Sequence, residues 1–535
     1  MAEVLLASLY EHASPESLAL ILVLFLIAVH LATPRSRAEK LLSKLPSPPF
    51  RLPVIGHLHL IGSLPHRSLC DLARKHGPDV LLLRLGAVPT LVVSSPRAAK
   101  AVLRTHDHHF ASRPRSAVAN ILFDGCTNVA FAPLGDYWRQ TRKVITTHVL
   151  TPSKAVVGRF PREEGRNKLF REMLETNAKL LGGFNLDDYF PSLARLNLVS
   201  AKAVNHKKKW DELFDALIDK HASKPANDEQ EEDFIDVLLS VQQQYGLTRK
   251  NIKAILMDMF EAGTDTTYIA LDYAMAELMR KPQAMAKLQA EVRRCAAKGK
   301  ELVTEEDLSS MTYLKAVMKE SMRLHAPGPL LIPHFSTADC DVEGYTVPSG
   351  TRVVLNAWAM GRDPTSWEDA EEFMPERFLE EGIDAASDFQ GNDFRFLPFG
   401  SGRRICPAIN FTIATFEIIL ANLIYHFNWE LPPGSTGVDM TESFGMDVHQ
   451  EFMPERFLEE GMDAASDFQG NDFRFLPFGS GRRICPAINF TIATFEIILA
   501  NLIYHFNWEL PPGSTDIDMT KSFGMDVHRK ENLLL

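Results

Sequence analysis

The chain is short of cysteine, short of basic charge and, near its beginning, without charge over a long run. Its six cysteines, Cys70, Cys126, Cys295, Cys340, Cys406 and Cys485, are scattered over 535 residues and form no Cys-x-x-Cys pair. That excludes a disulfide scaffold and points to a reducing compartment. Lys and Arg number 57 against 68 Asp and Glu, a formal net charge of −11. Such a balance excludes nucleic acid as a partner, because a phosphate backbone needs a basic face. Apolar residues make up 45% and charged residues 23%, the proportions of a globular protein with a sizeable core.

Residues 17–33 carry no charge at all and read Leu, Ile, Val, Phe and Ala through their centre. As a helix this run would span roughly 25 Å, close to the thickness of an endoplasmic reticulum bilayer. Two other readings are a cleaved signal peptide and a buried apolar helix. Glu3, Glu11 and Glu16 stand where a signal peptide needs basic residues. Arg35, Arg37, Lys40 and Lys44 follow the run, so the positive-inside rule keeps the body cytosolic. The expectation is a single-pass anchor over 1–33. Pro46, Pro48, Pro49 and Pro53 then make a stiff, extended connection.

Residues 80–94 predict a β-hairpin, with two β-branched runs around Gly86-Ala87-Val88-Pro89. Beyond it the periodicity is mostly helical. The longest helix is expected over 251–279, stopping before Lys281-Pro282. The acidic run 229–233 reads as a solvated loop, and His206-Lys207-Lys208-Lys209 as an exposed helix face. A near-perfect internal repeat sets the end of the chain apart. Residues 372–449 recur as 451–528, 79 positions later, with differences only at Ile383/Met462, Gly437/Asp516, Val438/Ile517 and Glu442/Lys521. Two nearly identical copies, with no such period upstream, are a tandem duplication or a gene-model error rather than a solenoid.

The chemistry concentrates in Pro398-Phe399-Gly400-Ser401-Gly402-Arg403-Arg404-Ile405-Cys406-Pro407-Ala408. Glycines let a backbone loop come close to a metal, and nearby cations and N–H groups favour a thiolate. The apolar helix that follows adds the positive end of its dipole. The spacing Phe-x-x-Gly-x-Arg-x-Cys resembles the haem loop of the cytochrome P450 family. Ala408 departs from it, since a Gly is usual two places after the Cys. Upstream, Glu320-Ser321-Met322-Arg323 sets Glu and Arg three apart on one helix face. Pro375-Glu376-Arg377-Phe378 then supplies the second Arg of the family's buried Glu–Arg–Arg triad. Ala262-Gly263-Thr264-Asp265-Thr266-Thr267, poor in helix formers, resembles the family's oxygen-binding groove, where the helix opens locally.

The resemblance covers nearly the whole chain and lies with the plant microsomal members. It implies a mainly α fold with a small β domain, plus the N-terminal transmembrane helix and the extra C-terminal repeat. It implies haem b with Cys406 as the axial ligand, the duplicate Cys485 being the rival. Chain continuity with Glu320 and Arg323 favours Cys406. Asp265 and Thr266 become the catalytic proton relay. Trp138 and Arg142 (in Trp138-Arg139-Gln140-Thr141-Arg142), His334 and Arg404 become haem contacts, with Phe399 and Gly402 shaping the loop. Residues 116–132, 256–264 and 326–333 are expected to line the substrate pocket. The implied partners are dioxygen, a small apolar substrate, the membrane and an NADPH-dependent flavoprotein reductase docking near Arg403-Arg404. The stretch 155–160 and Phe184-Asn185-Leu186-Asp187-Asp188-Tyr189-Phe190-Pro191 look like the grass enzymes that hydroxylate indole-derived defence precursors.

Two features depart from the family. His148 to Lys154 runs straight into Ala155-Val156-Val157-Gly158, where members carry further helices. The haem segment is doubled, so 34–450 reads as the monooxygenase body and 451–535 as its duplicate. Two alternatives therefore stand beside monooxygenation. One is a non-catalytic or poorly folding product. The other is a haem-thiolate isomerase or dehydratase, disfavoured because such enzymes often lack the Asp265-Thr266 relay.

Overall fold

A computed structural model describes residues 36–150, 186–191, 200–223, 234–296 and 302–429, the single positions 173, 176–177, 180–181, 438 and 440, and two strands, 521–522 and 528–529. The apolar run 17–33, the junction after Lys154, the acidic run 229–233, Cys485 and most of the second copy lie outside the described residues.

The described residues are mainly helical, with one four-stranded sheet. Strands β1 (Val80–Leu85) and β2 (Val88–Val93) form the expected hairpin, with Val80 opposite Val93 and Leu85 opposite Val88. The turn is Gly86-Ala87 alone, and Gly86 takes φ +61°, the left-handed conformation that tight hairpins require. Val88 and Pro89 therefore lie in the strand. A third strand, Arg352–Leu355, pairs with β2 in parallel from Thr90 onward, and the short strand His334–Phe335 adds antiparallel to it. Pro89, which has no N–H to give, falls just before that parallel pairing begins.

Six helices position the site. They are α1 (Asp136–Val144), α2 (Ser200–Ala222), α3 (Arg249–Arg280), α4 (Pro282–Cys295), α5 (Thr312–Leu324) and α6 (Ile409–His426). The long helix α3 begins in a capping box. Asn251 N–H donates to Thr248 Oγ1 at 3.2 Å, and Thr248 N–H donates to Asn251 Oδ1 at 2.9 Å. It ends where Lys281 precedes Pro282, and that proline starts α4.

Two apolar clusters meet along α3. Its first half packs Ile255, Leu256 and Phe260 against Val118, Phe123 and Trp138. Its second half joins α4, α5 and α6 around Leu278, Val317 and Phe416. Among the described residues α6 is the one helix long and apolar enough to cross a membrane. It packs against α3, α4 and α5 with Phe416, Leu420 and Ile424 fully buried, so its apolarity belongs to the core. Each such side chain contributes about 1.5–3 kcal/mol of transfer free energy.

Two surface expectations need correction. His206 and Lys207 are buried while Lys208 and Lys209 are exposed. Lys207 Nζ reaches Asp124 at 2.9 Å and Asp211 at 2.5 Å, and those carboxylates let the charge go inside. Arg404 is also buried, so only Arg403 of that pair faces outward, and Arg403 Nη1 donates to Asp107 at 2.5 Å.

Candidate active site

The cysteine loop is built by two glycines and closed by its own backbone. Gly400 and Gly402 have φ of +69° and +67°. A Cβ on Gly402 would lie 2.4 Å from Leu103 O, so only glycine fits there. Cys406 N–H donates to Phe399 O at 3.0 Å, and the Phe399 ring packs edge-on against Phe389. Ala408 N–H bonds the Cys406 sulfur. Ala408 itself has φ −96°, which any residue adopts. The missing glycine therefore costs the loop nothing. Burial pushes the Cys406 thiol up, while Ala408 N–H and the Arg142 charge pull it back.

Above the cysteine loop three guanidiniums crowd together. Arg404 donates through Nε to Ala111 O at 2.6 Å, through Nη1 to Val129 O at 3.2 Å and through Nη2 to Ala132 O at 2.5 Å. Its guanidinium sits 4.3 Å from the centre of the Trp138 ring, and Arg142 lies 5.7 Å from that ring. Trp138 and Arg142 share one face of α1, as their spacing implies, and Trp138 Nε1 donates to Val129 O at 3.1 Å. Arg113, which the sequence reading missed, donates to Ala130 O at 2.9 Å, Ile332 O at 2.6 Å and Pro333 O at 3.0 Å. His334 donates through Nδ1 to Phe110 O at 3.0 Å.

This is a positive cluster held by carbonyls. Among the described residues no carboxylate forms an ion pair with Arg113, Arg142 or Arg404. Burial first, and then Arg142, lowers the Arg404 pKa to about 10. Burial and the Arg404 charge lower Arg113, and burial and Arg113 hold His334 far below the usual imidazole range, hence neutral. Such a donor set fits an anionic edge of a ligand. Beside it, a half-buried thiol aimed from a glycine loop fits a soft metal. Together they match the donors a haem with two carboxylates requires.

The long helix α3 is unbroken. The motif from Ala262 to Thr267 stays helical rather than opening locally, and its hydroxyls fold back onto the helix. Thr266 Oγ1 donates to Ala262 O at 2.6 Å and Thr267 Oγ1 to Gly263 O at 3.1 Å. Ala262, Thr264 and Thr266 are exposed, and a Cβ on Gly263 would meet nothing within 4 Å. The backbone of Asp265 lies in this turn; its side chain is outside the described set. Of the expected pocket stretches, 116–132 and 256–260 meet in one cluster, whereas Leu330 and Leu331 pack toward the sheet.

The triad closes behind the loop. Glu320 accepts from Arg323 Nε at 2.7 Å and Nη2 at 2.8 Å, from Met374 N–H at 2.8 Å and from Arg377 Nε at 3.2 Å. All three charged side chains are buried, and Arg377 comes from the first copy of the repeat.

Known proteins place this arrangement. A family model described as Cytochrome P450 matches residues 46–166, 155–450 and 447–535. An indole-2-monooxygenase of Zea mays is 51% identical over 474 residues, covering 78% of this chain and 88% of that relative. A 3-hydroxyindolin-2-one monooxygenase of Zea mays is 49% identical, covering 80% and 92%, and an indolin-2-one monooxygenase of Zea mays is 47% identical, covering 82% and 95%. A solved zebra fish cytochrome P450, 24% identical, superposes with a TM-score of 0.57 over 73% of this chain and 97% of that one, which shows the shared fold.

Proposed function

As a member of the cytochrome P450 family the chain is a haem-dependent monooxygenase, and we propose that it inserts one oxygen atom into a small, apolar, indole-derived molecule with Cys406 as the thiolate that would hold the iron. The observation that carries the site assignment is the cluster of Arg113, Arg142 and Arg404, without carboxylate partners among the described residues, beside the Cys406 loop. The substrate class rests on the likeness to three maize oxygenases of indole and its oxidised derivatives.

When bound, haem supplies activation of dioxygen at a thiolate-ligated iron. The residues of this chain supply the rest. Ala408 N–H and Arg142 favour negative charge on the Cys406 sulfur against its burial. Phe399 O closes the loop on Cys406 N–H, and Gly402 lets the loop approach. Arg142 and Arg404, joined by Arg113, would hold the carboxylate edge of the group, while Trp138 and neutral His334, whose N–H groups are given to Val129 O and Phe110 O, would line it without donating. Thr266 Oγ1, parked on Ala262 O, passes a proton with Asp265. The apolar wall of 116–132 and 256–260 excludes water from the substrate.

Electrons come from NADPH through a flavoprotein reductase that meets the surface on the Arg403 side. Residues 17–33 anchor the chain in the endoplasmic reticulum membrane with its body cytosolic. Residues 451–535 are a second copy of the haem segment, and the overlap of family matches at 447–450 supports that division.

The test is expression in microsomes with a reductase, a reduced carbon monoxide difference spectrum, and product analysis over indole, terpenoid and phenolic compounds. A thiolate-type band and an oxygenated indole are expected. Turnover of only terpenoids or phenolics overturns the substrate class. A folded, anchored chain with no such band favours the second reading, a non-catalytic product, which the overlapping matches at 155–166 and 447–450 motivate.

A further inference from the structure

One carboxylate near the site has no part in the mechanism above. Asp258 on α3 is 5% exposed, and its partners are all neutral donors from a single turn. Asn128 Nδ2 donates to Oδ1 at 2.6 Å, Val129 N–H donates to Oδ2 at 2.7 Å, and Ala130 N–H bonds the carboxylate as well. The same turn is gripped from its other side. Val129 O accepts from Trp138 Nε1 and Arg404 Nη1, Ala130 O from Arg113 Nε and Ala132 O from Arg404 Nη2. The peptide joining Val129 and Ala130 is thus held at both ends. Its N–H meets Asp258, and its C=O meets Arg404 and Trp138.

We propose that Asp258 is a positioning residue that sets the orientation of Arg404 through the Val129–Ala130 peptide, coupling α3 to the cationic cluster. This rests on that cluster holding the carboxylate edge of haem. A peptide group is planar and stiff. Anchoring its N–H therefore fixes where its C=O points, and with it the guanidinium that donates there. The charges at its two ends reinforce one another, because a carboxylate at the N–H and a guanidinium at the C=O both polarise the peptide in the same sense. Burial pushes the Asp258 carboxyl up to about 7 even though its donors pull it back. The ionised form is costly here, yet it is the form that accepts three donors at once. Asparagine in its place would keep one acceptor oxygen and turn an N–H group toward other donors. The turn also carries its own brace, since Asn128 Oδ1 accepts from Phe131 N–H at 3.3 Å and Asn128 O accepts from Ala132 N–H at 3.2 Å. Asp258 therefore aims an already formed turn rather than creating it.

The experiment compares haem loss to an excess of apomyoglobin in the full chain for Asp258→Asn, Arg404→Lys and the double variant. Loss of a partner that orients a ligand-holding group weakens retention roughly 10–100-fold, so Asp258→Asn should speed haem loss by about tenfold or more. The effects should not multiply, because both changes break one path; the double variant should lose haem no more than about threefold faster than the faster single variant. A general structural role for Asp258 would make the two effects independent and multiplicative, and that result overturns the proposal, as does unchanged haem loss in Asp258→Asn. Should Asp258→Asn not fold, Asn128→Asp keeps the Oδ1 that accepts from Phe131 N–H while removing the donor to Asp258, and it should still speed loss several-fold; no change there also overturns it. Hydrogen exchange at the Val129 and Ala130 amides gives a reading that needs no haem. Exchange should quicken in Asp258→Asn. A wild-type chain that binds no haem refutes the reading of the cluster, whereas unchanged exchange refutes the role of Asp258.

Discussion

Replacing Glu320 by Gln tests whether the buried triad holds the helical half together. The change is small in volume and large in charge. Glu320 accepts four hydrogen bonds, from Arg323 Nε and Nη2, Met374 N–H and Arg377 Nε. Both side chains of the Arg323–Glu320 pair are 0% exposed, and that of Arg377 is 1% exposed. Glutamine keeps one acceptor oxygen and presents an N–H group to a guanidinium. Two cations then share a dry site whose nearest remaining carboxylate is Asp384, 3.7 Å from Arg377. Breaking a buried pair from one side costs about 3–5 kcal/mol, because the surviving charge is left uncompensated. With an unfolding entropy of roughly 2 cal/mol/K per residue over about 400 residues, 4 kcal/mol corresponds to a fall in midpoint of about 5 °C. Scanning fluorimetry at a fixed heating rate on purified holoprotein would measure it. The variant should also accumulate less haem per chain. The control is Lys319→Gln. Lys319 belongs to the same helix, and its Nζ donates to Ser387 O at 2.7 Å; it should lose far less. A shift of under 1 °C for Glu320→Gln, with haem content unchanged, would refute the reasoning, since a fully buried cation pair cannot lose its counter-charge at no cost.

Four further outcomes follow from the site and the fold. Thr266→Ala should keep haem and substrate binding but cut product formed per NADPH by at least about tenfold, with peroxide making up the difference; unchanged coupling removes Thr266 from proton delivery. Cys406→Ser should abolish the thiolate-type carbon monoxide spectrum while Cys485→Ser preserves it, and the reverse pattern assigns the iron to the second copy. His206 Nε2 lies 2.7 Å from Asn177 Oδ1 and accepts from Trp210 Nε1 at 3.0 Å, and burial first, then Lys209, lowers its pKa to about 4. The unfolded chain therefore takes up a proton near pH 6.5 that the folded chain refuses, and stability present above that value is lost as pH falls toward 4. His206→Gln should flatten the fall of the urea midpoint over that window, and an equally steep fall would show that His206 is not the titrating group. Alkaline carbonate should leave the full chain in the membrane pellet and release a chain lacking residues 1–33; release of the full chain rules out the anchor.

Legibility in the sequence tracked distance along the chain. The hairpin was readable because β-branched runs flank Gly86-Ala87-Val88-Pro89, and the long helix because its periodicity stops before Lys281-Pro282; the two-residue turn and the Thr248 cap came from the structure. The glycines at 400 and 402 were readable as the means by which the loop approaches a metal; both take a positive φ, and at 402 a Cβ would also meet Leu103 O. The outward face assigned to His206 and Lys207 failed because burial of a cation depends on its partners. Asp124, one of them, lies far away in sequence. Arg113 and Asp258 were missed for the same reason. Each is an ordinary charged residue until the fold brings it onto residues 128–132. The opening of α3 was what the resemblance implied; the turn is instead helical throughout, its threonines bonded back onto the helix.

The sequence by itself determined the chemistry on offer: one glycine-rich cysteine loop in duplicate, a Glu–Arg pair one turn apart, and a helix carrying Asp265 and Thr266. These are contacts within a turn or a loop, and local spacing sets them directly. Only the tertiary structure decided which charges go inside and what they touch. Arg404 points inward because Ala111, Val129 and Ala132 bring three carbonyls to it from nearly 300 residues away, while Arg403, its neighbour, faces solvent against Asp107. Adjacent residues of the same type thus take opposite fates. Composition and periodicity are blind to that choice, because a buried cation is stable only where the rest of the chain supplies its acceptors.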